Sequence, residues 1–301
     1  MTTFDTPEPI CVSLELSVGD VRVTASDRLD TVVEIRATDS TRRSDVAAAE
    51  QTRVEYTNGR LLIRGPRGSH KGWWQYTFRG ANDSVDVQVE LPSGSSLEAE
   101  VGIATIRCSG RLGECRLKTG IGDIQISEAS TVQLKTGGGD ISVDRALGRA
   151  EVKTGTGTLR IGEVQGGAVI RNSNGDSWVG AVSGDLRVSS ANGRISVDRA
   201  HGTVAAKTAN GDICLGDVDR GSVTAQTALG RIEVGIRDGV AAWLDLNTQY
   251  GNVETNLDAS ARPGPGDTAV EVRARTSYGD ITVHRSSANG PPPSPAGEAR
   301  P

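Results

Sequence analysis

The 301-residue sequence is poor in large side chains: it has one Met, and aromatic residues make up only 3% of it. A thick core packed with rings is therefore excluded, and an interior has to be built from Val, Ile, Leu and Ala. Histidine is scarce as well; His70, His201 and His284 stand far apart. No GxSxG, HExxH, Walker loop or GxGxxG occurs, although there are 38 Gly. Triad hydrolysis, zinc proteolysis and nucleotide-loop chemistry lack their parts. The four cysteines, Cys11, Cys108, Cys115 and Cys214, show no CxxC spacing and no neighbouring histidine pair, which argues against a zinc site or a disulfide framework.

Long apolar runs are missing too. No stretch approaches the roughly 18 residues of a membrane span, and the start, MTTFDTPEPICVSLELSVGD, has no basic region leading into an apolar one. The expectation is a cytoplasmic protein, at most peripheral to a membrane, with reduced thiols and no cofactor or metal. Acids exceed bases by 38 to 33, a net charge of −5 spread along the chain, which favours solubility and makes nucleic acid an improbable partner.

Against these absences stands a repeat. Gly122, Gly139, Gly157, Gly175, Gly193, Gly211 and Gly230 follow one another at 17, 18, 18, 18, 18 and 19 residues. Ala104 fills the slot before them, and Gly251 and Gly279 continue it after longer insertions. Seven residues before the slot stand apolar residues such as Val132, Ala150, Ala168, Leu186, Val204 and Val223; five before it come Leu134, Val152, Ile170, Val188, Ala206 and Ala225. Pairs such as Ile141/Val143, Ile195/Val197 and Ile213/Leu215 follow it. Between the apolar positions lie Lys118, Lys135, Lys153, Arg171 and Lys207. Strict alternation places one face inside and one in water.

Each copy reads as two short strands joined by a corner that needs the positive φ of glycine. So small a unit cannot bury its apolar face alone, and copies must stack. The predicted architecture is all-β: a single-chain β-solenoid of about ten rungs of roughly 18 residues, forming a rod about 45 Å long. A column of Thr119, Thr136, Thr154, Asn172, Ser190, Thr208, Thr227, Thr248 and Thr276 shares the inward phase, and its hydroxyls are expected to hydrogen-bond up the stack. Asn174, Asn192 and Asn210 are expected to form a corner ladder. The alternative is an antiparallel β-meander in which each Asn-Gly is a hairpin turn. It leaves an apolar face open and gives no reason for columns.

Residues 1–91 are strand-rich but off-period and are read as an irregular β-rich cap, with SDVAAAEQTR as a short helix. Residues 92–285 form the repeat domain. The tail from 286 to 301 is Pro-rich and expected to be disordered.

The layout LELSVGDVRV, DVAAAEQTRVEYTNGRLLI and VDVQVELPSGSSLEAEVG, followed by tandem rungs such as LKTGIGDIQI, resembles the bacterial "putative adhesin" or toastrack domains. These are a β-strand-repeat family of unknown function, and the resemblance spans about residues 10–285. It implies an envelope- or stress-associated interaction module and supplies no catalytic residues. The functional expectation is a non-enzymatic, monomeric interaction or scaffold module with a protein or envelope-associated partner.

Two places carry chemistry worth weighing. Asp123 and Asp140 occupy the position after the corner glycine, about 5 Å apart if stacked, which is the carboxylate spacing of a retaining glycosidase and would also suit a cation. A carbohydrate-active β-helix enzyme is thus the alternative function. Every column of a solenoid repeats at that distance, however, so the spacing alone says nothing, and Arg194 between Asp176 and Asp212 points to an ion ladder. The second place is RGPRGSHKGWWQYTFRG, residues 64–80, with Trp73, Trp74, Tyr76 and Phe78 among Arg64, Arg67, Lys71 and Arg79 and no acid. Arg67, Lys71, Trp73, Trp74, Tyr76 and Arg79 are the candidate partner-binding patch. The competing and preferred reading makes the aromatics a plug for the N-terminal end of the solenoid.

Overall fold

The structure, a computed structural model, describes residues 1–66, 83–257 and 269–286. It is a β-solenoid. Successive copies pair in parallel and in the register the columns demand: Ala150, Val152 and Thr154 lie beside Ala168, Ile170 and Asn172, and these beside Leu186, Val188 and Ser190. Beyond the corner, Leu159 and Ile161 lie beside Ser177 and Val179. The two faces of the flattened coil meet through Val, Ile, Leu and Ala side chains, and no aromatic ring belongs to this core among the described residues. Each fully buried Val, Leu or Ile contributes about 1.5–3 kcal/mol, so the stability of the rod is a sum over many modest, similar terms.

The corner explains itself at Gly193. Its φ is +136°, and an added Cβ would lie 2.1 Å from the carbonyl oxygen of Gly175 in the neighbouring rung. Backbone conformation and rung-to-rung contact therefore both exclude a side chain.

The polar columns behave partly as expected. Asn192 donates to Asn174 Oδ1 and Asn210 to Asn192 Oδ1, each at 2.8 Å, giving the amide ladder. The threonines do not bond to one another. Thr136 Oγ1 donates to the carbonyls of Gly138 and Gly122, at 3.1 and 3.3 Å, and Thr154, Thr208 and Thr227 repeat the pattern. The corner turns its carbonyls inward, and these acceptors lie nearer to each hydroxyl than the next hydroxyl does.

The ends break the sequential order. Cys11–Val18 and Val21–Ser26 flank Gly19, whose φ is +141°, and form a regular rung against Ser96–Ile103 and the start of Ile106–Ile121. On its other side lie Arg60–Arg64 and Val85–Pro92, also parallel. That outer rung is covered by antiparallel strands: Arg53–Thr57 on Arg60–Arg64, and Asp30–Ala37 with Thr2–Asp5 on Val85–Pro92. The helix Arg43–Gln51, the one expected in SDVAAAEQTR, packs there, with Ala48 3% exposed. Asn58-Gly59, with φ of +50° and +74°, is a two-residue hairpin turn, so the meander geometry exists once, in this cap.

At the other end, Ala269–Tyr278 and Ile281–Ser286 insert between Gly221–Leu229/Ile232–Arg237 and Ala241–Tyr250/Val253–Asn256. Gly279 thus stacks on Gly230, and Gly251 on Gly279, the reverse of chain order. At both ends the rung that is terminal in sequence lies second from the end in space.

Candidate functional site

The corner aspartates come first, because they were the candidate chemistry. Asp123 Oδ1 accepts the backbone N–H of Asp140 at 2.8 Å, and Asp140 Oδ1 accepts that of Thr158 at 2.7 Å. Asp176, Asp212 and Asp280 do the same for Arg194, Arg231 and Asn252. Where an aspartate follows the corner glycine in these rungs, it thus caps an N–H of the neighbouring rung, a charge-assisted bond of the stronger kind. Arg194 joins the ladder by its backbone N–H to Asp176 and by its guanidinium to Asp212 at 3.4 Å. Lys118, which stands beside Lys135, pairs with Glu100 at 2.6 Å. Among the described residues, no three His, Cys, Asp or Glu side chains converge as metal ligands.

Arg67, Lys71, Trp73, Trp74, Tyr76 and Arg79 lie outside the described residues. Their setting is nevertheless defined by what flanks them. Arg64 pairs with Glu15 at 2.9 Å, and Gly65 donates its N–H to the carbonyl of Glu15. Val85 resumes the rung against Gly19. Arg60–Arg64 and Val85–Pro92, the described strands on either side, form the outermost parallel rung of the capped end.

The described surface holds three further groupings, of which the sequence showed only the first, as a spacing. On one outer face Lys118, Lys135, Lys153, Arg171 and Lys207 follow one register, interrupted by Ser189. Lys118 and Lys153 have glutamate partners, and Lys153 holds the Glu151 carboxyl below its usual range. Lys135, Arg171 and Lys207 have no ion-pair partner among the described residues, so the face carries uncompensated positive charge on an acidic protein.

On the opposite outer face Arg160 lies over the ring of Trp178, 5.3 Å from its centroid, and Trp178 Nε1 donates to Asp198 at 3.1 Å. Burial raises the Asp198 carboxyl despite that bond. Near the second corner Arg237 bridges Asp217 and Asp219, His201 Nδ1 meets Asp219 at 2.8 Å, and Ser286 donates to Asp217 at 2.7 Å. Burial opposes ionisation of Asp217, but Arg237 and Ser286 outweigh it and hold its pKa low. This network ties the inserted rung of Ser286 to its neighbours and has the character of a fold-locking charge cluster.

The cysteines are all free. Burial pushes the Cys115 thiol up to about 12 and Cys214 to about 11, so neither is a ready nucleophile.

The profile of the toastrack family, DUF4097, matches residues 11–289. The chain belongs to this family. Solved structures similar to this toastrack chain include a "putative adhesin" from Parabacteroides merdae and another from Bacteroides fragilis. Each is 11% identical, with 94% of this chain and 95% of that one covered, at TM-scores of 0.41 and 0.39. A "putative cell adhesion protein" from Clostridium sporogenes is 10% identical over 94% and 98% of the two chains, with a TM-score of 0.23. No curated protein matches the chain. No described helix is long and apolar enough to cross a membrane.

Proposed function

We propose that this toastrack chain is a non-enzymatic interaction module, a stiff rod that holds side chains in fixed columns for a protein or envelope-associated partner. The observation that carries this reading is how the carboxylates are used. The corner aspartates, which offered the nearest thing to a catalytic pair, each spend an oxygen on the N–H of an adjoining rung. What remains free is the regularly spaced outer surface, above all the column containing Lys135, Arg171 and Lys207.

The rival is carbohydrate cleavage at Asp123 and Asp140. A panel of polysaccharides incubated with the wild type and with Asp140→Ala separates the two. The expected result is no release of reducing ends by either protein, with Asp140→Ala melting lower through the loss of one charge-assisted hydrogen bond, about 1.5–3 kcal/mol. Turnover by the wild type that Asp140→Ala abolishes would overturn the reading.

A further inference from the structure

The end of the rod made by Ala241–Tyr250 and Val253–Asn256 is open where the opposite end is closed. Among the described residues Ala241–Tyr250 pairs only with Ala269–Tyr278, and Val253–Asn256 only with Ile281–Ser286. Gly279 donates to the carbonyl of Tyr250 at 3.0 Å, but the alternation breaks two residues before each corner glycine: Ala228 donates back to Ala209, whereas Thr208 and Leu186 donate forward, to Gln226 and Thr203. By the same pattern Trp243, Asp245 and Asn247 turn their backbone groups towards the rod, and the N–H and C=O groups of Leu244, Leu246 and Thr248 point away along its axis. The inward side chains are left short of cover as well: Leu244 and Leu246 are only half-buried, and Val253 is exposed.

The outer surface next to this edge is the most apolar on the described molecule. Leu229, Tyr278 and Tyr250 form one column, and the two tyrosine rings stack with centroids 4.8 Å apart and 9° between planes. Tyr250 is 64% and Trp243 73% exposed. An unpaired, ten-residue edge with such neighbours is a template for another strand. Residues 258–268, DASARPGPGDT, and 287–301, SANGPPPSPAGEARP, contain no Val, Ile, Leu or aromatic residue, and neither has the composition of a strand that could complete the sheet.

We propose that this end pairs with the same end of a second copy about a two-fold axis, residues 242–250 running antiparallel to their counterparts. A register centred on Leu246 uses the whole edge. It sets Leu246 on Leu246, Leu244 against Thr248, Trp243 against Gln249 and Asp245 against Asn247. The first two pairs bring together residues whose N–H and C=O groups face the edge. Centring on Asp245 instead would oppose two carboxylates.

The area suffices. A strand of this length spans about 33 Å, and two packed faces with their outer side chains about 20 Å. That gives on the order of 1,200 Å² in total for two copies, the lower bound for a stable specific interface. The assembly closes at two, because among the described residues the other end presents only the short strands Thr2–Asp5 and Arg53–Thr57 and the helix Arg43–Gln51.

Sedimentation velocity over a concentration series tests this on the full chain, alongside Leu246→Pro, Asn247→Asp and Asn247→Lys. Leu246→Pro removes an outward N–H that the rod does not use, so its circular dichroism and melting temperature match those of Leu246→Ala, which loses the same side chain. It weakens dimerisation at least tenfold. Asn247→Asp places two Asp–Asp contacts across the axis and also weakens it, more at low salt than at high, whereas Asn247→Lys, facing Asp245, tightens it. A wild type that stays monomeric at every concentration overturns the proposal. So does a dimer indifferent to the three variants, or assembly that runs on beyond two copies. If Leu246→Pro fails to fold, the opposite signs expected for the Asp and Lys variants decide.

Discussion

The two ends of the rod face the same problem, a coil whose last rung has no neighbour, and treat it differently. At the N-terminal end the outer rung of Arg60–Arg64 and Val85–Pro92 receives antiparallel strands and a helix, and Leu61, Ile63, Val87 and Val89 are at most 1% exposed. At the C-terminal end the corresponding rung keeps an edge that is unpaired among the described residues, and its inward leucines stay half-buried. Both ends also insert the sequence-terminal rung one place inward, so the outermost rung is a loop of chain anchored on both sides. The difference teaches that stacking alone does not finish a solenoid. Cover for the last rung is a separate structural element, built from chain that does not follow the repeat.

The largest effect expected is in the middle of the rod, where neither end helps. Gly193→Val meets both the positive φ and the Gly175 carbonyl, and it should cost more than about 4 kcal/mol or prevent that rung from stacking. Gly59→Ala, in the cap hairpin, has the same need for positive φ but nothing within 4 Å of the added Cβ, and it should cost about 1 kcal/mol. Thermal melts of the two variants read the gap. Equal shifts would mean that the rung contact contributes nothing and that φ alone selects glycine.

A second comparison asks whether residues 64–80 belong to the closed end. If Trp73 and Trp74 plug it, their double change to Ala should lose about 3–5 kcal/mol, and wild-type tryptophan emission should include a blue-shifted, quencher-resistant component. Trp178 is half-buried and contributes to that emission, so the single variants Trp73→Ala and Trp74→Ala are needed to assign it. Normal melting together with free quenching would move these residues, with Arg67, Lys71, Tyr76 and Arg79, to partner binding.

The smallest difference concerns the inward leucines. Leu61→Ala, at 0% exposure under the cap, should cost about 2–5 kcal/mol through the cavity it leaves. Leu246→Ala, half-covered at the open end, should cost about 1 kcal/mol when measured at concentrations too low for dimerisation. A Leu246→Ala penalty that grows with protein concentration would tie the open edge directly to self-association.

Much of this was legible in the sequence because the repeat is local. The slot from Gly122 to Gly230 recurs within one residue of a fixed spacing, and period-2 alternation names the inward side chains without reference to any partner. The rung around Gly19 was not legible, since its stacking neighbour at Ala104 lies 85 residues on, after the cap strands have intervened. The surface columns were visible as spacing, but their partners were not. A list of corner aspartates does not say that each oxygen meets an N–H one rung away.

The sequence by itself determined which residues turn inward, where the chain must bend, and that the copies stack in parallel register. Alternation and glycine are properties of a few neighbouring residues, and they survive any larger arrangement. Only the tertiary structure decided which rung lies on which. Every rung offers the same ladder of N–H and C=O groups, so Gly279 fits on Gly230 as well as Gly251 would, and the order at the ends is set by what the rest of the chain can reach. The same is true of Asn-Gly. At 58–59 both residues take positive φ and close a hairpin, because Arg53–Thr57 and Arg60–Arg64 have each other to pair with. At 192–193 only the glycine does, because the strands on either side already have parallel partners in the rungs above and below.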